Sequence, residues 1–255
     1  KTLTTTYYST TTNLSGAALR TALTPILRTN HIQYSYKCIW AALEEVDEDP
    51  TNTNNVLTIY NDGSVPKVNR VCPGNTNRDA WNREHVWAKS HGFPNESQMA
   101  YTDIHHLVPA DGGQNSMRQD RDFQMRDQGG GGSMWEPIDA VKGQIARMMF
   151  YMEVRYDGDA TTDERTPNLT LVTATTYGTK RPEFGYLPDL LKWHCEFPVS
   201  EREIRRNDKV YSWQGNRNPF IDRPDFVNSI WNYTCEDASS SSLFVGSSSS
   251  NQLEE

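Results

Sequence analysis

Four of the six histidines, His85, His91, His105 and His106, fall within 22 residues; Glu84 and Asp103 lie among them, and Asn115 and Arg118 follow. These are the groups that phosphodiester hydrolysis requires. A neutral imidazole takes a proton from water near neutral pH. A carboxylate and an amide carbonyl are oxygen ligands for a hard divalent cation that keeps several waters, and such an ion neutralises charge growing on the phosphate and the leaving oxygen. A guanidinium holds a non-bridging phosphate oxygen. His85, Glu84, Asn115 and Arg118 supply one of each within 35 residues. The same histidines could instead serve zinc, whose usual nitrogen ligand is imidazole, although their spacing fits none of the standard zinc patterns. Taken singly, Glu84 could be a surface carboxylate and His85 a hydrogen-bonded core histidine.

Glu84 and His85 are neighbours in NREHVWAKSHG (82–92). Neighbours on a regular strand point to opposite faces, so the pair can share a site only at an irregular strand end. The elements that must position it are mostly helical. Residues 14–29 carry Leu19, Leu23, Ile26 and Leu27 at helical spacing, with Pro25 expected to kink the stretch. Residues 35–47 repeat the pattern, and VLTIY (56–60) reads as a strand running into an Asn61-Asp62-Gly63 turn. The clearest helix is 138–154, with Ile138, Val141, Ile145, Met148, Met149 and Met152 as one apolar stripe. Its Arg147, Tyr151 and Arg155 line another face, which could track a phosphate backbone or be solvated or salt-bridged. Gly129–Gly132 is a loop without the Lys-Ser/Thr of a phosphate-binding P-loop. Ser200 and Glu203 form a capping box, and Asp222-Arg223-Pro224 marks a further helix start. Helices outnumber strands and nothing alternates as βαβ, so the expectation is one α+β domain from 7 to 235, followed by a Ser-rich, low-complexity tail over 236–255.

The net charge of −8 argues at first against a nucleic-acid partner, but its distribution does not. Residues 44–66 hold six acids and no base, the tail holds four acids and no base, and removing those ten turns −8 into +2. The segment 201–223 carries six bases against four acids, a local basic face that could bind phosphate, with Arg217 in its QGNRNP turn a second candidate beside Arg147. No run of 18 apolar residues exists, so no membrane span is expected. The opening at Lys1, without an apolar leader, fits a mature, processed or trimmed chain. Four cysteines show no C-x-x-C pair. Together with sequons at Asn13, Asn95, Asn168 and Asn232 they suggest two disulfides in an exported, glycosylated protein; Cys38–Cys72 and Cys195–Cys235 are the favoured pairing of three.

REHVWAKSHG (83–92) followed by TDIHHLVPADGGQNSMR (102–118) closely resembles the bacterial endonuclease I and secreted Bacillus-type nucleases, members of the ββα-metal (His-Me finger) group. KGQIARMMFYMEVRYDG (142–158), LLKWHCEFPVSEREIRRND (190–208) and QGNRNPFIDRPDFVNSIW (214–231) match in the same order. The resemblance implies a mainly helical α+β fold around a ββα-metal core with a small sheet. It implies that His85 is the general base, ending the second strand of that element. Glu84 and Asn115, the latter on the helix, would hold one Mg²⁺-type ion (Ca²⁺ or Mn²⁺ also admitted), while Asp103 and His105 orient the site. Arg118 is the candidate phosphate clamp. Two positions depart from the family pattern: Ala88 stands in place of proline, and Gln114 in place of an apolar residue.

The expected activity is therefore a secreted (periplasmic in a bacterium), largely sequence-nonspecific endonuclease acting on DNA, with RNA also admitted, and leaving 5′-phosphates. It would be a monomer without an organic cofactor or membrane attachment. The alternative is a non-catalytic nucleic-acid-binding or zinc-stabilised extracellular protein on a nuclease scaffold.

Overall fold

A computed structural model describes residues 6–71, 80–126, 131–158 and 165–236 of the 255. Eight helices among them are α1 (Gly16–Arg28), α2 (Ile39–Val46), α3 (Gly112–Arg118), α4 (Asp139–Arg155), α5 (Leu187–Glu196), α6 (Glu201–Gln214), α7 (Pro219–Asp222) and α8 (Asp225–Trp231). The strands are short: β1 (Glu48–Asp49), β2 (Asn52–Leu57), β3 (Ser64–Pro66), β4 (Trp81–His85), β5 (Leu107–Asp111), β6 (Asp122–Phe123), β7 (Met134–Trp135), β8 (Thr170–Val172) and β9 (Glu183–Tyr186). They form one antiparallel sheet in the order β1-β2-β3 and three two-stranded sheets, β4-β5, β6-β7 and β8-β9. The α+β expectation holds at this level: helices dominate, and the sheets are small. No helix among the described residues is long and apolar enough to cross a membrane.

The core surrounds α4. Every residue from Val141 to Arg155 is buried, on all sides of the helix rather than along one stripe. Ile138, expected in that stripe, is instead the exposed residue just before the helix. Leu19, Leu23 and Leu27 of α1, Leu190 and Trp193 of α5, and Phe220 of α7 join this cluster. A smaller cluster packs Ile39, Ala42, Leu43 and Val46 of α2 against Val56, Trp81, Leu107 and Val210, tying β4 and β5 to α6. The capping box forms as expected: Ser200 Oγ accepts from the Glu203 N–H, and the Ser200 N–H donates to Glu203 Oε2. α6 ends at Gly215 with φ 85°, where a Cβ would lie 2.3 Å from the Asn30 carbonyl oxygen, so only glycine fits.

The segment that matters most runs strand, strand, helix. β4 and β5 pair antiparallel with Glu84 opposite Val108 and His85 opposite Leu107, and α3 follows β5 directly. Asp111 begins that helix by accepting from the Gln114 N–H at 2.9 Å. His85 thus ends the first strand of this element, not the second, because the long connection from 86 to 106 lies between the strands.

Cys195 and Cys235 form a disulfide as expected, fastening α5 to the chain beyond α8. Cys38 is exposed and has no disulfide partner among the described residues. Its expected partner Cys72 lies outside them, as do Gly129, Gly130 and residues 237–255 of the tail.

Candidate active site

The end of β4, the turn after it and α3 enclose a groove of about 530 Å³ lined by Arg83, Glu84, His85, Lys89, Asn115 and Arg118, among others. Each of the three groups expected to do chemistry is anchored by one part, and its other part has no side-chain partner among the described residues. His85 is 6% exposed. Its Nε2 lies 2.8 Å from the Tyr101 carbonyl oxygen, which can only accept, so Nε2 carries the proton and the lone pair sits on Nδ1. Burial, reinforced by the nearby His106, pushes the imidazole pKa well below its usual value and keeps it neutral.

Glu84 is 4% exposed, and two donors meet one of its oxygens: Tyr60 Oη at 2.6 Å and Arg118 Nη1 at 2.9 Å, both on Oε1. Oε2 has no side-chain donor among the described residues. Burial raises the Glu84 pKa, and Arg118 and Tyr60 oppose that rise. Asn115 Nδ2 donates to Asn82 Oδ1 at 2.7 Å, which turns the amide so that its oxygen is the free end. A buried carboxylate oxygen and an amide oxygen on one groove suit a hard cation that fills its remaining positions with water, so the residues present fit the expected ion.

The opposed directions of Glu84 and His85 resolve at the strand end. His85 faces Tyr36 and Tyr101, whose rings lie 5.9 and 4.7 Å away, while Glu84 faces Tyr60 and Arg118. Both line the groove that opens beyond the last strand pair. The turn that follows is closed by backbone bonds: the Ala88 carbonyl accepts from the His91 N–H at 2.8 Å, and the Lys89 carbonyl from the Phe93 N–H.

Three of the arginines named as phosphate-binding candidates are buried and ion-paired. Arg118, expected to clamp phosphate, is 1% exposed; besides Glu84, its guanidinium binds the carbonyls of His85 at 3.0 Å and Val86 at 2.8 Å. It braces the strand end from within, with both terminal nitrogens engaged by Glu84 and the two carbonyls. Arg147 is 1% exposed and paired with both carboxylate oxygens of Glu203, at 2.6 and 2.9 Å. Arg217 is likewise buried between Asp222 and Asp208. Neither Arg147 nor Arg217 lines the groove. Three of the six bases in the basic segment answer the acidic one: Arg206 pairs with Asp47, Arg202 with Asp62, and Lys209 approaches Glu48.

Asp103 and His105 sit behind the groove in a saturated network. Asp103 Oδ1 accepts from the His105 N–H and Gln214 Nε2, and Oδ2 from the hydroxyls of Tyr151 and Tyr156, all at 2.8–2.9 Å. Burial would raise this carboxyl, but His31, His105 and His106 outweigh it and hold the pKa below the usual range. His105 Nε2 reaches the Asn216 carbonyl at 3.1 Å. The QGNRNP turn is therefore structural: Gln214 and Asn216 close the network, and Asn218 caps α7. Tyr60, Tyr101 and Asn82 orient the three chemical groups, yet no spacing in the sequence marks them; Asn82, two residues before Glu84 on one strand, carried the only positional hint.

The family model described as Endonuclease I matches residues 15–225. An extracellular ribonuclease of Bacillus amyloliquefaciens is 45% identical over 238 residues, spanning 89% of this chain and 78% of that one. An extracellular ribonuclease of Bacillus subtilis strain 168 is 44% identical with the same coverage.

Proposed function

Because this chain belongs to the endonuclease I family and is a nuclease, we propose that it is a secreted, divalent-metal-dependent endonuclease of ββα-metal type. The observation that carries the reading is a trio of atoms with no side-chain partner among the described residues, His85 Nδ1, Glu84 Oε2 and Asn115 Oδ1, all on residues lining one groove. His85 takes a proton from water at Nδ1 while the Tyr101 carbonyl holds the ring by its other nitrogen. Its low basicity matches a water made more acidic by a neighbouring divalent ion, which also neutralises the phosphate and the departing 3′ oxygen when bound. Glu84 and Asn115 would hold that ion, Mg²⁺ above all, and hydrolysis would leave 5′-phosphates.

The two relatives are named ribonucleases, which supports RNA as a substrate beside DNA, and their extracellular description supports secretion. The four sequon asparagines are exposed, compatible with an exported glycoprotein. Among the described residues no three His, Cys, Asp or Glu side chains form a metal-holding group, so nothing there favours the zinc-stabilised alternative. The test is incubation with supercoiled DNA, single-stranded DNA and RNA, each with Mg²⁺, Ca²⁺ or EDTA. Cleavage that stops on chelation and returns with Mg²⁺ is expected; cleavage indifferent to EDTA contradicts the metal-dependent reading.

A further inference from the structure

If Arg118 does not touch the substrate, something else in the groove must meet its phosphates. The groove is lined by two other cations, Arg83 and Lys89. Neither has a carboxylate partner among the described residues, unlike Arg118, Arg147, Arg202, Arg206 and Arg217.

Their placement follows from the strand. Residues two apart share a face, so Arg83 lies beside His85 on β4, and both meet the Tyr36 ring. The Arg83 guanidinium carbon is 3.3 Å from the centre of that ring and 4.2 Å from the Trp40 ring, and the group also donates to the Tyr36 carbonyl. Two aromatic faces thus fix the guanidinium plane and leave its edge as the part free to donate. Across His85, Lys89 Nζ donates to the Tyr101 hydroxyl at 2.9 Å, and Tyr101 is also the residue whose carbonyl orients His85. Tyr36 and Tyr101 touch edge to face at 4.9 Å. Arg83, His85 and Lys89 therefore stand in a row on one aromatic shelf.

We propose that Arg83 and Lys89 bind the backbone phosphates on either side of the scissile one, and so position a nucleic-acid strand over His85. The inference rests on the nuclease reading above. Burial lowers the Arg83 pKa from its usual value, yet arginine stays charged at any working pH. Lys89 is exposed and supplies a movable charge, whereas Arg83 supplies a fixed one.

The test uses the full chain with His85→Ala, which removes turnover, and a fluorescent single-stranded oligonucleotide titrated over a range of salt concentrations. Adding Lys89→Ala or Arg83→Ala is expected to weaken binding and to reduce the slope of log affinity against log salt by about one each. Arg83→Lys should keep the slope while weakening binding, because it retains charge but loses the fixed plane; this variant also covers the case in which Arg83→Ala fails to fold. Adding Arg118→Met should leave the slope unchanged. Salt slopes untouched by both Lys89→Ala and Arg83→Ala, or lowered only by Arg118→Met, overturn the inference, as does wild-type affinity in Arg83→Lys where Arg83→Ala does not fold. A wild-type protein that cleaves no nucleic acid overturns the nuclease reading itself, a distinct failure.

Discussion

Two buried polar clusters arise from the same stretch of chain and end differently. Around Asp103 every oxygen has its donors, and His105, Gln214, Asn216, Tyr151 and Tyr156 close on one another. In the groove, side-chain and carbonyl partners among the described residues hold one end of each polar group: the Tyr101 carbonyl holds His85, Tyr60 and Arg118 hold Glu84 Oε1, and Asn82 holds the Asn115 amide nitrogen. Saturation makes a scaffold, since a buried polar network with all bonds formed specifies one arrangement. Anchored groups with a spare lone pair make a site, because they are oriented before the substrate arrives and still have something to offer it.

The largest expected effect separates the clusters by chemistry. His85→Ala should lower hydrolysis by about 10²–10⁴-fold, the usual worth of a positioned base, with the melting temperature little changed. A variant cleaving at the wild-type rate would remove His85 from the mechanism. Asp103→Ala should do the reverse: it leaves four donors and the nearby His31 without their carboxylate, and a stability loss of about 3–5 kcal/mol is expected in denaturant unfolding. Undiminished stability would show that the network is not the scaffold described.

Arg118→Met tests whether this residue belongs to the scaffold or to the substrate. As a brace, its removal strands the Glu84 carboxylate in a buried site, and a loss of roughly 3 kcal/mol should appear in unfolding without substrate. A raised KM with unchanged stability would restore it as a phosphate clamp.

A smaller and more gradual effect should follow pH. Burial lowers the folded-state pKa of His31 to about 3 and of His105, His106 and His194 to about 4, from 6.5. A lowered histidine pKa contributes stability above the unfolded value that is lost as pH falls toward the folded value. Stability should therefore be full above about pH 6.5 and decline toward pH 4, each neutral histidine contributing about 1.4 kcal/mol per pH unit. Glu153, raised to about 7 mainly by burial, and Glu84, also raised by burial, have the opposite sign above 4.5 and, as two groups against these four and the lowered His85, only blunt the decline. Urea unfolding at pH 7, 6, 5 and 4 measures this; stability rising across that series would contradict the buried neutral assignment.

Local chemistry was readable in the sequence where it is local in the structure. The capping box at Ser200, the helices around Leu19–Leu27 and Val141–Met152, and the bond between Cys195 and Cys235 all depend on short-range pattern or on residue types with few alternatives. Cations misled because a charge does not announce its distant partner. Arg147 meets a glutamate 56 residues on, and Arg206 an aspartate 159 residues back, so an apparent basic face is half of an internal ion-pair set. The carboxylate, imidazole and amide of the groove stood out by type, whereas Tyr60 and Tyr101 did not, because a tyrosine that orients a site resembles any core tyrosine until its hydroxyl or carbonyl is located.

The central claim divides the work within one adjacent pair: Glu84, with Asn115, for the ion, and His85 for the proton. Calorimetric titration of Mg²⁺ into the wild type, Glu84→Gln and His85→Ala, with cleavage rates measured on the same samples, tests it most directly. The account predicts that Glu84→Gln loses both ion binding and cleavage, while His85→Ala binds the ion with near wild-type affinity and does not cleave. Unimpaired ion binding by Glu84→Gln, or loss of ion binding by a folded His85→Ala, would contradict it.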